Sequence, residues 1–256
     1  MLFDTHCHLD VEDFDPDRAE VAAAARAAGV TDILVPGIHR AGWARLEALC
    51  AAAPGLHAAL GLHPVHLHLH ADADVDALRA AIDARRPAAV GEIGLDYAVD
   101  GLDRARQQRL FEAQLDVARE AGLPAVLHVR KAHDAALAVL ARMRVRGGIA
   151  HAFNGSADQG RRYADLGFRL GFGGMLTYAR SRRLHALART LPIQAIVLET
   201  DAPDLTPAAH HGCRNSPAYL PEVLAALAQL RGEDPVALAA ITTANARAVL
   251  DLAAPA

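Results

Sequence analysis

Eight short runs of β-forming residues recur along the chain, and an Ala-, Leu- and Arg-rich helical stretch follows each of them. The expected strands are Leu2–His6, Asp32–Gly37, His57–Leu62, Ala88–Ile93, Ala125–Val129, Gly148–Ala152, Phe168–Phe172 and Ala195–Thr200. Strands that alternate with helices pair in parallel through right-handed crossovers. Between them Leu110, Phe111, Leu115 and Ala118 share one stripe of an expected helix over Gln108–Glu120, which Gly122 and Pro124 stop. Ser216 before Pro217, and Asp234 before Pro235, each join an N-cap to a first-turn proline. Eight such units in 256 residues match the roughly 250 of a closed (β/α)8, or TIM, barrel; an open doubly wound sheet is the competing arrangement. No composition break marks a boundary, so residues 1–256 are expected to form a single domain.

Composition narrows the function classes. The chain has 26 basic and 30 acidic residues, a net charge of −4, which argues against a polybasic coat for nucleic acid or membrane. Lys131 is the only lysine. Cys7, Cys50 and Cys213 are too scattered for a disulfide framework and fit a reducing cytoplasm. The amino terminus lacks the pattern of a signal peptide, and no run approaches the roughly 18 apolar residues of a spanning helix. A cytoplasmic protein without a membrane or an obligate protein partner is expected. The fourteen histidines are the unusual stock.

In a barrel, chemistry sits at the carboxyl ends of the strands. Strand one ends in His6-Cys7-His8, where the strand period of two puts both imidazoles on one face. Strand four carries Glu92 within a Gly-flanked apolar run, strand five ends at His128, strand six at His151, and strand eight at Asp201. Four imidazoles and two carboxylates thus converge on one mouth. Buried groups of this kind must be paired or bind a cation, and together they form a set sufficient for two metals with one carboxylate bridging.

The strings DTHCHLD (4–10), GLHP (61–64), VGEIGLDY (90–97), LHVR (127–130), HAFNGS (151–156), LETDAPDLTP (198–207) and RNSP (214–217) resemble the TatD family of metal-dependent hydrolases. The resemblance runs to the final helix, where Thr243-Ala244-Asn245 is similar to the family's closing T-x-N. It implies a barrel of the amidohydrolase superfamily and hydrolysis at a binuclear centre. By that resemblance His6, His8 and Asp201 hold one metal, His128 and His151 hold the second, and Glu92 bridges them. His63 corresponds to a histidine beside the substrate phosphate. Two positions depart from the family pattern: Lys131 stands where an aspartate is common, and Val129 where a hydroxyl residue is common. Both bear on substrate preference.

Strand geometry adds neighbours to this set. Arg130, two residues beyond His128, shares its face, and a guanidinium fork at the mouth suits a phosphate. Glu199, two residues before Asp201, should point inward below the metals and accept a hydrogen bond from a ligand imidazole. Asp4 is placed to do similar work. His66, His68 and His70 lack a carboxylate at ligand spacing, and His210 and His211 fall in a loop expected to be solvated. His39, His57, His133 and His185 show no evident partner.

The expected cofactors are two divalent ions (Zn, Mn, Ni, Fe, Co or Mg). The imidazoles favour the transition metals, whereas the family's nucleases are described as magnesium-dependent. The expected reaction is phosphodiester hydrolysis by a metal-activated water with Asp201 as general base, on DNA trimmed from its 3′ end. Hydrolysis of a small phosphoester, amide or lactone is the first alternative. A non-catalytic metal-binding protein is the second.

Overall fold

All eight expected strands form in the computed structural model, which describes residues 1–253. They are β1 (Leu2–Asp4), β2 (Val30–Pro36), β3 (Leu56–Leu60), β4 (Ala89–Asp96), β5 (Ala125–Arg130), β6 (Gly148–Ala150), β7 (Phe168–Phe172) and β8 (Ile196–Leu198). Each pairs in parallel with the next, in the order β1 to β8. The helices between and after them are α1 (Arg18–Ala27), α2 (Trp43–Ala52), α3 (Ala73–Arg85), α4 (Arg104–Ala121), α5 (His133–Met143), α6 (Ala157–Asp165), α7 (Arg182–Thr190), α8 (Leu220–Arg231) and α9 (Pro235–Leu250). The arrangement is a TIM barrel. α4 starts four residues before the expected helix because the Asp103 carboxylate caps it, accepting the Arg106 amide at 3.0 Å.

The barrel closes at a seam between β1 and β8 that has no regular ladder. Thr5 donates its amide to the Leu198 carbonyl (3.0 Å), Asp201 to His6 (2.8 Å) and His8 to Ala202 (2.8 Å). Between these links the Asp4 carboxylate accepts the Thr200 amide at 2.9 Å, so a side chain replaces a backbone acceptor. Both strands accordingly end earlier than the sequence pattern implies. Asp201 sits just past the seam at φ +59°, a left-handed conformation that Asp and Asn tolerate better than most residues.

Alternation divides the apolar residues into two cores. Phe3, Leu34, Val126, Ile149 and Val197 point into the barrel, where Ala246, Val249 and Leu250 of α9 join them. Their neighbours Ile33, Leu127, Ala150 and Leu198 face the helices. Full burial of an aliphatic side chain stabilises by about 1.5–3 kcal/mol, so the inner layer is a rigid floor. One step of two further along β5 and β8 lie His128 and Glu199. The same step beyond Ile149, the inward residue of β6, brings His151. Among the described residues no helix is long and apolar enough to cross a membrane.

Candidate metal centre

The structure brings His6, His8, Glu92, His128, His151 and Asp201 together above this floor. His6 Nε2 lies 3.0 Å from Glu92 Oε2, 3.3 Å from His8 Nε2 and 3.7 Å from Asp201 Oδ1. His8 Nε2 is 3.5 Å from the same Glu92 oxygen and 3.8 Å from the same Asp201 oxygen. Glu92 turns its other oxygen, Oε1, to His128 Nδ1 at 3.0 Å and to His151 Nε2 at 3.9 Å. Asp201 Oδ2 is 3.7 Å from His151 Nε2. Ligand atoms about 2.0–2.1 Å from a tetrahedral ion stand roughly 3.3 Å apart, and the observed separations cluster around that edge. The donor set fits metal binding.

The far nitrogens of two rings meet carboxylates. His128 Nε2 is 3.0 Å from Asp96 Oδ2, which fixes the proton on Nε2 and leaves the Nδ1 lone pair facing the centre. Burial works to raise the Asp96 pKa, but the bonds from His128 and from the Ala98 and Val99 amides hold it down at about 2. Glu199 Oε1 lies 3.0 Å from His151 Nδ1, at ion-pair distance without a directed hydrogen bond, and accepts the Ala152 amide at 2.6 Å. Room for Glu199 depends on Gly171, whose place a Cβ would fill 2.1 Å from Glu199 Oε2. Asp4 does not serve a ligand ring. Its carboxylate accepts the Thr200 hydroxyl (2.5 Å), the Thr200 amide (2.9 Å) and the His6 amide (3.2 Å), at the point where β1 ends.

His63 differs from the other rings. Its Nδ1 accepts the Val65 amide at 3.2 Å, so the neutral ring carries its proton on Nε2, 3.4 Å from Glu92 Oε1. Burial lowers its pKa to about 4. In that form His63 presents Nε2–H as a donor, while its ring also stands with Glu92 and His128 in a group that could hold a metal ion.

Electrostatics favours positive charge here. Burial raises the Glu92 pKa, yet the surrounding imidazoles, His6, His63 and His151 among them, and the bond from His128 outweigh it and hold it well below the usual carboxylate range. Burial alone would lower His151, but Asp201, Glu199 and Glu92 push it up to about 10. His6 moves the opposite way, well below its ordinary value, through burial and the charge of His151 stacked 3.7 Å away. Burial pushes Asp201 up to about 6 against the pull of His151 and His8.

Arg130 is exposed beside a cavity of about 470 Å³ that His128, His151 and Asp201 also line. His66 lines a smaller cavity of about 300 Å³ over Glu92 and His63. His68 and His70 stay outside the ligand set, and His70 Nε2 bonds the His63 carbonyl at 2.9 Å. His210 is not simply solvated: it pairs with Glu222 at 2.6 Å and stacks 3.7 Å from Tyr219. His57, His133 and His185 are also partnered, by Asp32 (3.0 Å), Asn154 (3.2 Å) and the Leu176 carbonyl (2.9 Å).

Asp96 is the residue that the sequence reading passed over. It stands four beyond Glu92, on the same face of a strand that runs three residues past its expected end. Asp96→Asn is expected to weaken metal affinity or activity by about 10–100-fold, measured by metal titration and turnover. Affinity equal to the parent's would mean that Asp96 does not orient His128.

A barrel that gathers imidazoles and carboxylates at its strand ends in this way defines a class, the metal-dependent hydrolases. The model of the TatD related DNase family matches residues 3–251, and the chain belongs to that family. It is 40% identical over 236 residues to the metal-dependent hydrolase YjjV of Escherichia coli (strain K12), covering 91% of each chain. The 3′-5′ ssDNA/RNA exonuclease TatD of Salmonella typhimurium is 35% identical over 259 residues, covering 98% of this chain and 99% of that one. The crystal structure of the Escherichia coli YjjV protein superposes with a TM-score of 0.95 at 37% identity, covering 98% of both chains.

Proposed function

We infer that the chain is a two-metal phosphodiesterase that trims single-stranded DNA from its 3′ end. The observation that carries this reading is Glu92, whose two oxygens address two different groups of donors. His6, His8 and Asp201 would hold one ion with Glu92 Oε2, and His128 and His151 the other with Glu92 Oε1. The imidazole-rich set favours Zn, Mn, Ni, Fe or Co over Mg. When bound, such ions supply Lewis acidity toward a phosphoryl oxygen and a more acidic water.

The chain's own residues have separable tasks. Asp201, a carboxylate at the mouth beside His6, His8 and His151, would accept the proton released by the attacking water. The His63 Nε2–H donates to a phosphate oxygen, and its backbone contact through Nδ1 keeps that proton in place. Arg130 offers a planar fork to the same phosphate from the rim. Asp96 and Glu199 orient His128 and His151 from behind. The name of the Salmonella relative supports a single-stranded substrate. A cytoplasmic setting agrees with the three free cysteines.

Asp201→Asn is expected to lower turnover by about 10²–10⁴-fold while KM changes little. Asn tolerates the same left-handed backbone, so the fold should be unaffected. Near-parental turnover would remove Asp201 from proton transfer. The reading as a whole is tested by metal analysis together with a substrate panel of oligonucleotides, small phosphoesters, amides and lactones. Oligonucleotide degradation from the 3′ end supports it. Turnover of small molecules alone, or metal binding with no turnover, overturns it.

A further inference from the structure

The cavity of about 470 Å³ beside the metal centre has mainly apolar walls, among them Phe153, Phe172, Met175, Leu184 and Leu205. Its size falls within the roughly 300–1,000 Å³ of ligand pockets. Five basic side chains belong to the two segments that border it, and Arg130 lines it directly. Arg130 and Lys131 end β5 and begin the following loop, while Arg180, Arg182 and Arg183 lie before and in the first turn of α7. All five are exposed.

Two observations put them on one arc. Arg130 and Leu184 line the same cavity, so the end of β5 and the start of α7 border one opening. His133, two residues beyond Lys131, has its pKa lowered by burial and further by the charge of Arg183, so those two loops are neighbours. Arg180 lies over the Tyr178 ring, 5.3 Å from its centroid, forming a flat cation–aromatic face.

These cations are also unneutralised. By contrast, Arg142, Arg161 and Arg162 pair with Glu112, Asp158 and Asp134. Among the described residues, the five of the arc have no carboxylate at ion-pair distance. A small phosphoester needs only the metal centre, His63 and Arg130. A row of further positive charges leading away from that point matches a ligand with repeating negative charge.

We propose that this arc is a binding track for the sugar-phosphate backbone of a single strand, with the cavity holding the nucleoside next to the scissile phosphate. The track rests on the phosphodiesterase reading and assigns the residues that would hold the strand away from the metal centre. Tyr178 with Arg180 provides a surface for base stacking, which tolerates any sequence. The chain's net charge of −4 is no obstacle, because the track is local.

The test compares the parent with the variant R180Q/R182Q/R183Q. Binding of a fluorescent single-stranded oligothymidylate is followed by anisotropy over a salt series, with oligonucleotide cleavage and bis(para-nitrophenyl) phosphate turnover measured in parallel. Three lost phosphate contacts should reduce the slope of log affinity against log salt by about 2 and weaken low-salt binding roughly tenfold or more. Turnover of the small ester should be unchanged. The charge-retaining variant R180K/R182K/R183K should recover most of the slope, which a purely structural effect would not produce. A parent that binds and cleaves the strand, beside a Gln variant with the same affinity and slope, overturns the track and leaves the phosphodiesterase reading standing. A parent that neither binds nor cleaves the strand yet hydrolyses the small ester overturns the polynucleotide substrate and the track with it.

Discussion

Glu92→Gln is expected to reduce activity on the order of 10³-fold or more and to strip metal from the protein, a larger effect than the roughly 10–100-fold of supporting groups. Glu92 is 1% exposed, and its oxygens stand 3.0 Å from His6 on one side and 3.0 Å from His128 on the other. The amide has one acceptor oxygen and one NH2 donor. Whichever way it turns, a donor faces the lone pair of an imidazole, so only one side keeps a ligand. The neutral side chain also removes the charge that balances cations at the centre. Metal content by elemental analysis and turnover on the preferred substrate are the measurements. Full occupancy with full turnover would take Glu92 out of the centre.

Gly171→Ala should damage stability and activity together. The new Cβ would stand 2.1 Å from Glu199 Oε2 and 2.5 Å from its Cδ, with Glu199 fully buried. Either the carboxylate leaves His151 or β7 moves away from β8. Overpacking of this kind costs about 1–3 kcal/mol. For a chain of this size, that lowers Tm by roughly 2–12 °C. Loss of the contact to His151 should remove a further factor of about 10–100 in activity. Trimming the obstacle supplies the control: Glu199→Ala in the same chain should restore part of the stability but none of the activity. A single variant with parental Tm and turnover would show that Glu199 has room to move.

The two-residue strand period made the ligand positions legible. It holds along β5 and β8, so Val126 and His128, or Val197, Glu199 and Asp201, could be assigned to one face from sequence alone. It fails where the backbone is irregular. β1 stops at Asp4, two residues short of its expected end, and there Asp4 turns to Thr200. The extra length of β4 brought Asp96 to the mouth, a length that the apolar pattern ending at Ile93 did not reveal. Ring tautomers depend on neighbours distant in sequence. The contacts to Asp96 and Val65 show which nitrogen of His128 and of His63 carries the proton, which the sequence could not. The stacking of His210 on Tyr219 depends in the same way on a fold-level encounter.

The β1–β8 seam joins residues 196 apart, Asp4 and Thr200, within a few residues of His6, His8 and Asp201. Barrel closure and assembly of the donor set are therefore a single event. A growing chain on the ribosome carries His6 and His8 early, but no complete centre until the segment of Asp201 has been made. Long-range closure of this kind is entropically slow. Metal capture should follow it, so the ion would seal a finished barrel instead of nucleating one. Incomplete chains would then carry neither the ions nor the hydrolytic activity.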